Sequence, residues 1–129
     1  MTKDQLNDLG AEILDACIAV HIELGPGLLE TVYKTALLIE LGLRGIPCEE
    51  EVRIQVFYKG MDTRKYFDID LLVCGEIVLE LKAVKEMNPY FEAKLINHLR
   101  LSDKKLGYLV NFNVVRLKDG FRRFVNKLY

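Results

Sequence analysis

Residues 66–84 read YFDIDLLVCGEIVLELKAV, two β-rich runs, 66–73 and 77–84, separated only by Cys74-Gly75-Glu76. So short a separation containing glycine predicts a hairpin. Within the second run Glu80 and Lys82 interrupt an otherwise apolar strand. The two-residue period of a strand puts both side chains on the same face, next to each other. A structural salt bridge explains the pair, but ions in a buried strand carry a heavy desolvation cost and gain little net stability. A reaction centre is the competing explanation.

If the three-residue loop centres on Gly75, residues whose numbers sum to 150 face one another, and Asp70 lies opposite Glu80. Directly opposed carboxylates, with Cβ atoms about 4.5–5.5 Å apart, repel each other. A divalent cation between them removes the conflict, and hard oxygen ligands suit Mg2+ or Mn2+. Lys82 beside such an ion completes a kit for phosphodiester hydrolysis, in which metal-activated water attacks and an ammonium stabilises developing charge. A slip of one residue in the register would weaken this geometry.

Working outward, Leu6, Leu9, Ile13, Cys17, Val20 and Leu24 recur at helical spacing, which predicts a helix over residues 4–24 that Gly25-Pro26-Gly27 stops. A second helix is expected from Leu28 to Arg44, ended by Gly45 and Pro47. Val52, Ile54, Val56 and Tyr58 alternate as a half-buried strand over 48–58, which Lys59-Gly60 turns. Asn88-Pro89 caps a third helix reaching about Leu101. The largely apolar run 106–112 predicts an interior strand. A last helix is expected near Asp119 to Lys127. The order is then ααβββαβα, an α/β sandwich around a central mixed four-stranded sheet, in a single domain over residues 1–129.

Half of the 129 residues are hydrophobic, enough for one modest core. No apolar run has the length of a membrane helix and the N-terminal stretch lacks a secretory pattern, so the expectation is a cytoplasmic protein with no membrane partner. Cys17, Cys48 and Cys74 are odd in number and far apart in sequence, which suits small core residues better than a disulfide framework or zinc knuckle. Ser102 is the only serine, leaving little room for serine-based acyl transfer. The net charge of -1 hides a division: residues 1–93 carry 9 Lys/Arg against 17 Asp/Glu, residues 94–129 carry 9 against 2. The basic final third could meet phosphates or simply be a solvated face.

An Asp followed about ten residues later by Glu-x-Lys, in a hairpin between helices, resembles the core of the PD-(D/E)XK nucleases. More narrowly, Gly27-Leu28-Leu29-Glu30-Thr31-Val32-Tyr33 is similar to the signature of the GxxExxY proteins, and the similarity extends through VHIELGPGLLETVY, FDIDLLV, VLELKAV and GYLVNF to LKDGFRRFVN. The resemblance implies a restriction-endonuclease-like fold, Asp70 and Glu80 as metal ligands and Lys82 as the catalytic lysine. It also implies a third ligand from Glu30, although a carboxylate in the first turn of a helix is explained equally by the helix dipole. DNA is the preferred substrate by analogy alone.

Four further residues are candidate supporting or substrate-contacting groups. Tyr33 lies one turn beyond Glu30 and suits a core aromatic. His21 sits on the apolar side of the first helix and suits a packed, hydrogen-bonded role. Lys94 and His98 share a face of the third helix, where similar sequences often carry glutamine and tyrosine. Asp68 is a secondary carboxylate on the strand of Asp70. Two rival functions stay open: a catalytically inactive nucleic-acid- or protein-binding module on the same fold, and a different metal-dependent hydrolase. A homodimer is compatible with cutting two strands, but no apolar stripe in the sequence argues for one.

Overall fold

A computed structural model describes all residues, 1–129. Helix α1 (Lys3–Leu24) begins in a capping box between Thr2 and Gln5 and ends at Gly25, whose φ of 69° favours glycine. Helix α2 (Glu30–Leu43) follows the Gly-Pro-Gly turn. Strands β1 (Cys48–Tyr58) and β2 (Met61–Val73) form a long hairpin. Its turn residues Lys59 and Gly60 both have positive φ, 51° and 77°, as a two-residue turn with the strand's own twist requires. Strand β3 (Ile77–Lys82), helix α3 (Pro89–Ser102) and strand β4 (Leu106–Asn111) complete a crossover that makes β3 and β4 parallel.

The chain does not end in a helix. A single 3-10 turn (Leu117–Gly120) leads into a fifth strand, β5 (Phe121–Val125), antiparallel to β4, so the sheet has five strands in the order β1-β2-β3-β4-β5. The expected helix near 119–127 and the four-strand count are both corrected by it. All six residues of β4 are buried, so an edge left open there would strand its backbone N–H and C=O groups. Alternation then serves both faces: Phe121 stacks on Tyr108 at 4.6 Å, while Phe124 packs with the α3 side. A helix would have put neither ring in these places.

The sheet separates two apolar clusters. On one face α1 and α2 deliver Leu6, Ile13, Cys17, Tyr33, Leu37 and Leu41 against Leu71, Ile77, Leu79, Leu81 and Val110. On the other, α3 sets Leu95 and Leu99 against Ile69, Leu72, Val78 and Leu109. Close approach of α3 depends on Gly107, where a Cβ would lie 3.1 Å from both a Leu99 methyl and the Val78 carbonyl. The outer side of α2 carries exposed Leu29, Val32, Ile39 and Leu43, a stripe that helical periodicity alone did not separate from the buried one. No helix is long and apolar enough to cross a membrane.

Candidate functional site

The register of β2 on β3 pairs Leu71 with Leu79, Leu72 with Val78 and Val73 with Ile77, and the ladder stops there. On its other side β2 pairs Ile69 with Val52 and Leu71 with Glu50, skipping Asp70 and Glu51. Glu51 has φ of 52°, an αL conformation that inserts a local kink. The consequence is visible in packing, because Ile69 lies in the α3 cluster and Leu71 in the α1/α2 cluster. Strict alternation would have put them on one face. Asp70 therefore sits free of both ladders, where β2 and β3 part, and its carboxylate accepts a hydrogen bond from the Leu81 N–H at 3.1 Å.

Glu80 is 3% exposed. One oxygen, Oε1, lies 3.8 Å from Lys82 Nζ and 3.6 Å from Lys94 Nζ; the other, Oε2, is buried with no partner. Burial, with the Asp70 charge second, pushes its pKa up to about 7, against the opposing pull of Lys94 and Lys82. Asp70 is raised as well, first by burial, with the Leu81 N–H and Lys34 opposing. Glu30, in the first turn of α2, is raised by burial and by Asp70 while Lys82 pulls it down. Glu30, Asp70, Glu80, Lys82 and Lys94 thus form one interacting group at the opening of the sheet.

Such a raised carboxyl has a measurable consequence. Glu80 favours its proton in the folded state, so its contribution to stability is complete below about pH 4.5 and is lost as pH rises to about 7. Glu80→Gln should therefore stabilise the metal-free protein at pH 8 by about 1–3 kcal/mol and flatten this slope. Denaturant unfolding across pH checks both; a variant less stable than wild type at pH 8 would show Glu80 to be a structural anion.

The remaining candidates lie as follows. Lys82 holds its ammonium over Phe91, with Nζ 4.4 Å from the ring centroid. Tyr33 is fully buried; its hydroxyl donates to the Gly25 carbonyl and accepts from the Leu28 N–H, and its ring stacks on Phe112 at 4.7 Å. It clasps the turn that starts Glu30's helix. His21 meets the Val114 carbonyl at 2.8 Å and so braces the 113–117 loop instead of the acidic group. His98 stacks on Phe67 at 4.1 Å, its pKa lowered by burial and then by Lys94, and its Nδ1 has no partner. Asp68 faces Arg53 at 3.7 Å, outside the group. In the basic final third, Arg122 pairs with Glu92 and Arg123 donates to Asn7, so part of that charge is already engaged. Cys17, Cys48 and Cys74 are free thiols.

Two residues escaped the sequence reading. Lys34, one turn beyond Glu30, forms an ion pair with Glu51 and acts on both Asp70 and Glu30; its i,i+4 spacing from Glu30 was the available signal. Asn111, 3% exposed, donates to the Val84 carbonyl at 3.0 Å and accepts from the Val84 N–H at 3.1 Å. It ties the end of Lys82's strand to β4. A polar residue interrupting an apolar run, as Glu80 does in β3, was legible there by the same reasoning.

The donor set suits a hard divalent cation: carboxylate oxygens, one of them buried and orphaned, with the Asp70 charge raising both Glu80 and Glu30. No three His, Cys, Asp or Glu side chains stand close enough to hold one ion as they lie. One or two carboxylates, completed by water and substrate oxygens, are nevertheless the usual Mg2+ arrangement. A family model described as the PD-(D/E)XK nuclease superfamily matches residues 7–124, nearly the whole chain. No curated protein and no solved structure matches it significantly.

Proposed function

From the premise that this chain belongs to the PD-(D/E)XK nuclease superfamily, we propose that it hydrolyses phosphodiesters of nucleic acid, DNA by analogy with that superfamily, using Mg2+ or Mn2+. The observation that carries this reading is Glu80: a nearly buried carboxyl with one oxygen unpartnered and a pKa raised to about 7. Such a group gains the fold little net stability, and groups of this kind cluster at functional sites.

Asp70 and Glu80 are the residues suited to hold the cation, with Glu30 as the third carboxylate within electrical reach. When bound, a divalent cation supplies Lewis acidity towards a phosphoryl oxygen and acidifies water. Lys82, its ammonium held over the Phe91 ring, presents a positive charge to the negative charge that builds on the phosphate. Asn111 holds the strand end that carries Lys82, and Tyr33 holds the turn from which Glu30 departs.

A second reading, a binding module without catalysis, is favoured by Lys94, whose ammonium lies 3.6 Å from Glu80 Oε1 and so competes with a metal for the charge of that carboxylate. Incubation of the protein with linear, branched and single-stranded DNA and RNA, with and without Mg2+ or Mn2+, separates the two. Cleavage that needs metal and disappears in Asp70→Asn is the expected result. Binding without cleavage on every substrate would favour the module. Lys94→Gln removes a competing cation and should tighten Mn2+ binding several-fold on a nuclease; unchanged affinity would show that Lys94 does not contend for the site.

A further inference from the structure

The distal half of the β1–β2 hairpin has almost no core beneath it. Val52, Ile54 and Phe67 are the last of its residues to pack on the α3 cluster, and residues 57–66 are all exposed. Yet this tip is rich in rings: Phe57 is 56% exposed, Tyr58 65% and Tyr66 50%, with Met61 beside them at 72%. Isolated exposed apolar residues are ordinary. Here they stand on both faces of the ribbon, Phe57 and Tyr66 on one and Tyr58 with Met61 on the other, and neither face has a core to cover it.

Charge says by what. Residues 53–68 hold Arg53, Lys59, Arg64 and Lys65 against Asp62 and Asp68, a net +2 inside the first 93 residues, which otherwise carry 5 Lys/Arg against 15 Asp/Glu; Asp68 faces Arg53 and leaves the other three cations to the tip. The cations are interleaved with the rings. The Arg53 guanidinium lies 3.6 Å from the Tyr66 centroid and Lys59 Nζ 5.5 Å from that of Tyr58. Arg53 and Tyr66 lie beyond the kink on the strand pair that leads directly to Asp70. Tyr66 is four residues from Asp70, about 13 Å along β2 at the usual strand rise.

We infer that the β1–β2 hairpin tip is a stacking platform for unpaired bases of the nucleic acid, with Tyr66 and Arg53 nearest the reaction centre, Phe57 farther out on the same face, and Tyr58 with Lys59 at the turn on the other. Rings and guanidinium planes accept any base by its π-face, and the lysines and arginines between them follow the phosphates. The substrate class this selects is a single strand or a junction that carries one. A fully paired duplex would leave the rings uncovered. The inference rests on the nuclease reading for the identity of its ligand.

The chain contains no tryptophan, so Tyr66→Trp installs a unique fluorophore on the platform. With Ca2+ replacing Mg2+, titration with an oligothymidylate should quench it, while a duplex of equal length quenches it far less. Phe57→Ala, Tyr58→Ala and Tyr66→Ala combined should weaken oligothymidylate binding by at least about tenfold. An exposed apolar position elsewhere, Leu43→Ala, should change nothing, and unchanged thermal unfolding of each variant verifies its fold. Undiminished single-strand binding by the triple variant overturns the platform and leaves the nuclease reading standing. A wild-type protein that binds no nucleic acid overturns both.

Discussion

On the proposed nuclease reading, Lys82→Ala is expected to lower the metal-dependent cleavage rate by about 10²–10³-fold, the usual loss when one preorganised cationic or hydrogen-bonding group is removed from the reacting phosphate. The loss falls on kcat, because Lys82 is expected to act on charge that develops during attack and not on the ground state. Its ammonium is only 3.8 Å from Glu80 Oε1, so the substitution also removes a cation that competes with the metal for that carboxylate. Mn2+ affinity should therefore hold or rise while turnover falls. Single-turnover cleavage and Mn2+ titration on the same preparation check the two halves. A rate close to wild type, or a parallel loss of metal affinity, would reduce Lys82 to a structural counter-ion.

Phe112→Ala costs about 3–5 kcal/mol of stability, a large part of what a domain of this size possesses. The ring is fully buried and stacks nearly parallel, at 7°, on Tyr33, which clasps Gly25 and Leu28. The cavity would therefore open beneath the turn that sets Glu30. Urea unfolding should show the lower midpoint with unchanged slope. Phe112→Leu, which fills most of the space, should recover most of the stability. If both variants unfold at the wild-type midpoint, Phe112 does not support that corner of the core.

The hairpin and the two charges in β3 were legible because both are local. Gly75 sets the register, and a buried strand has no ordinary use for Glu80 and Lys82. Helix α3 was legible from Asn88 and Pro89, whose cap and first-turn roles the structure repeats. The C-terminal strand was not. Phe121-Arg122-Arg123-Phe124 satisfies helical and extended spacing alike, and only the need of β4 for a hydrogen-bonded neighbour decides between them.

The environment of Asp70 was only half legible. Alternation puts it on a regular strand with Asp68, whereas the kink at Glu51 frees it from both ladders and leaves Asp68 to Arg53. Lys34 and Lys94 reach the carboxylates from separate helices, a convergence that no single stretch of sequence records. The hairpin platform was missed for a related reason. Tyr66, Arg53 and Phe57 look like ordinary alternating strand residues until the apolar clusters are seen to end short of them.

The most direct test of the central claim, that Asp70 and Glu80 share a divalent cation, is a crystal of the protein grown with Mn2+ and measured at the manganese absorption edge. The expected result is one strong anomalous peak in contact with both carboxylates, absent in crystals of Glu80→Gln. An active protein whose manganese lies elsewhere, or whose Asp70 and Glu80 side chains remain unliganded at saturating Mn2+, would contradict it.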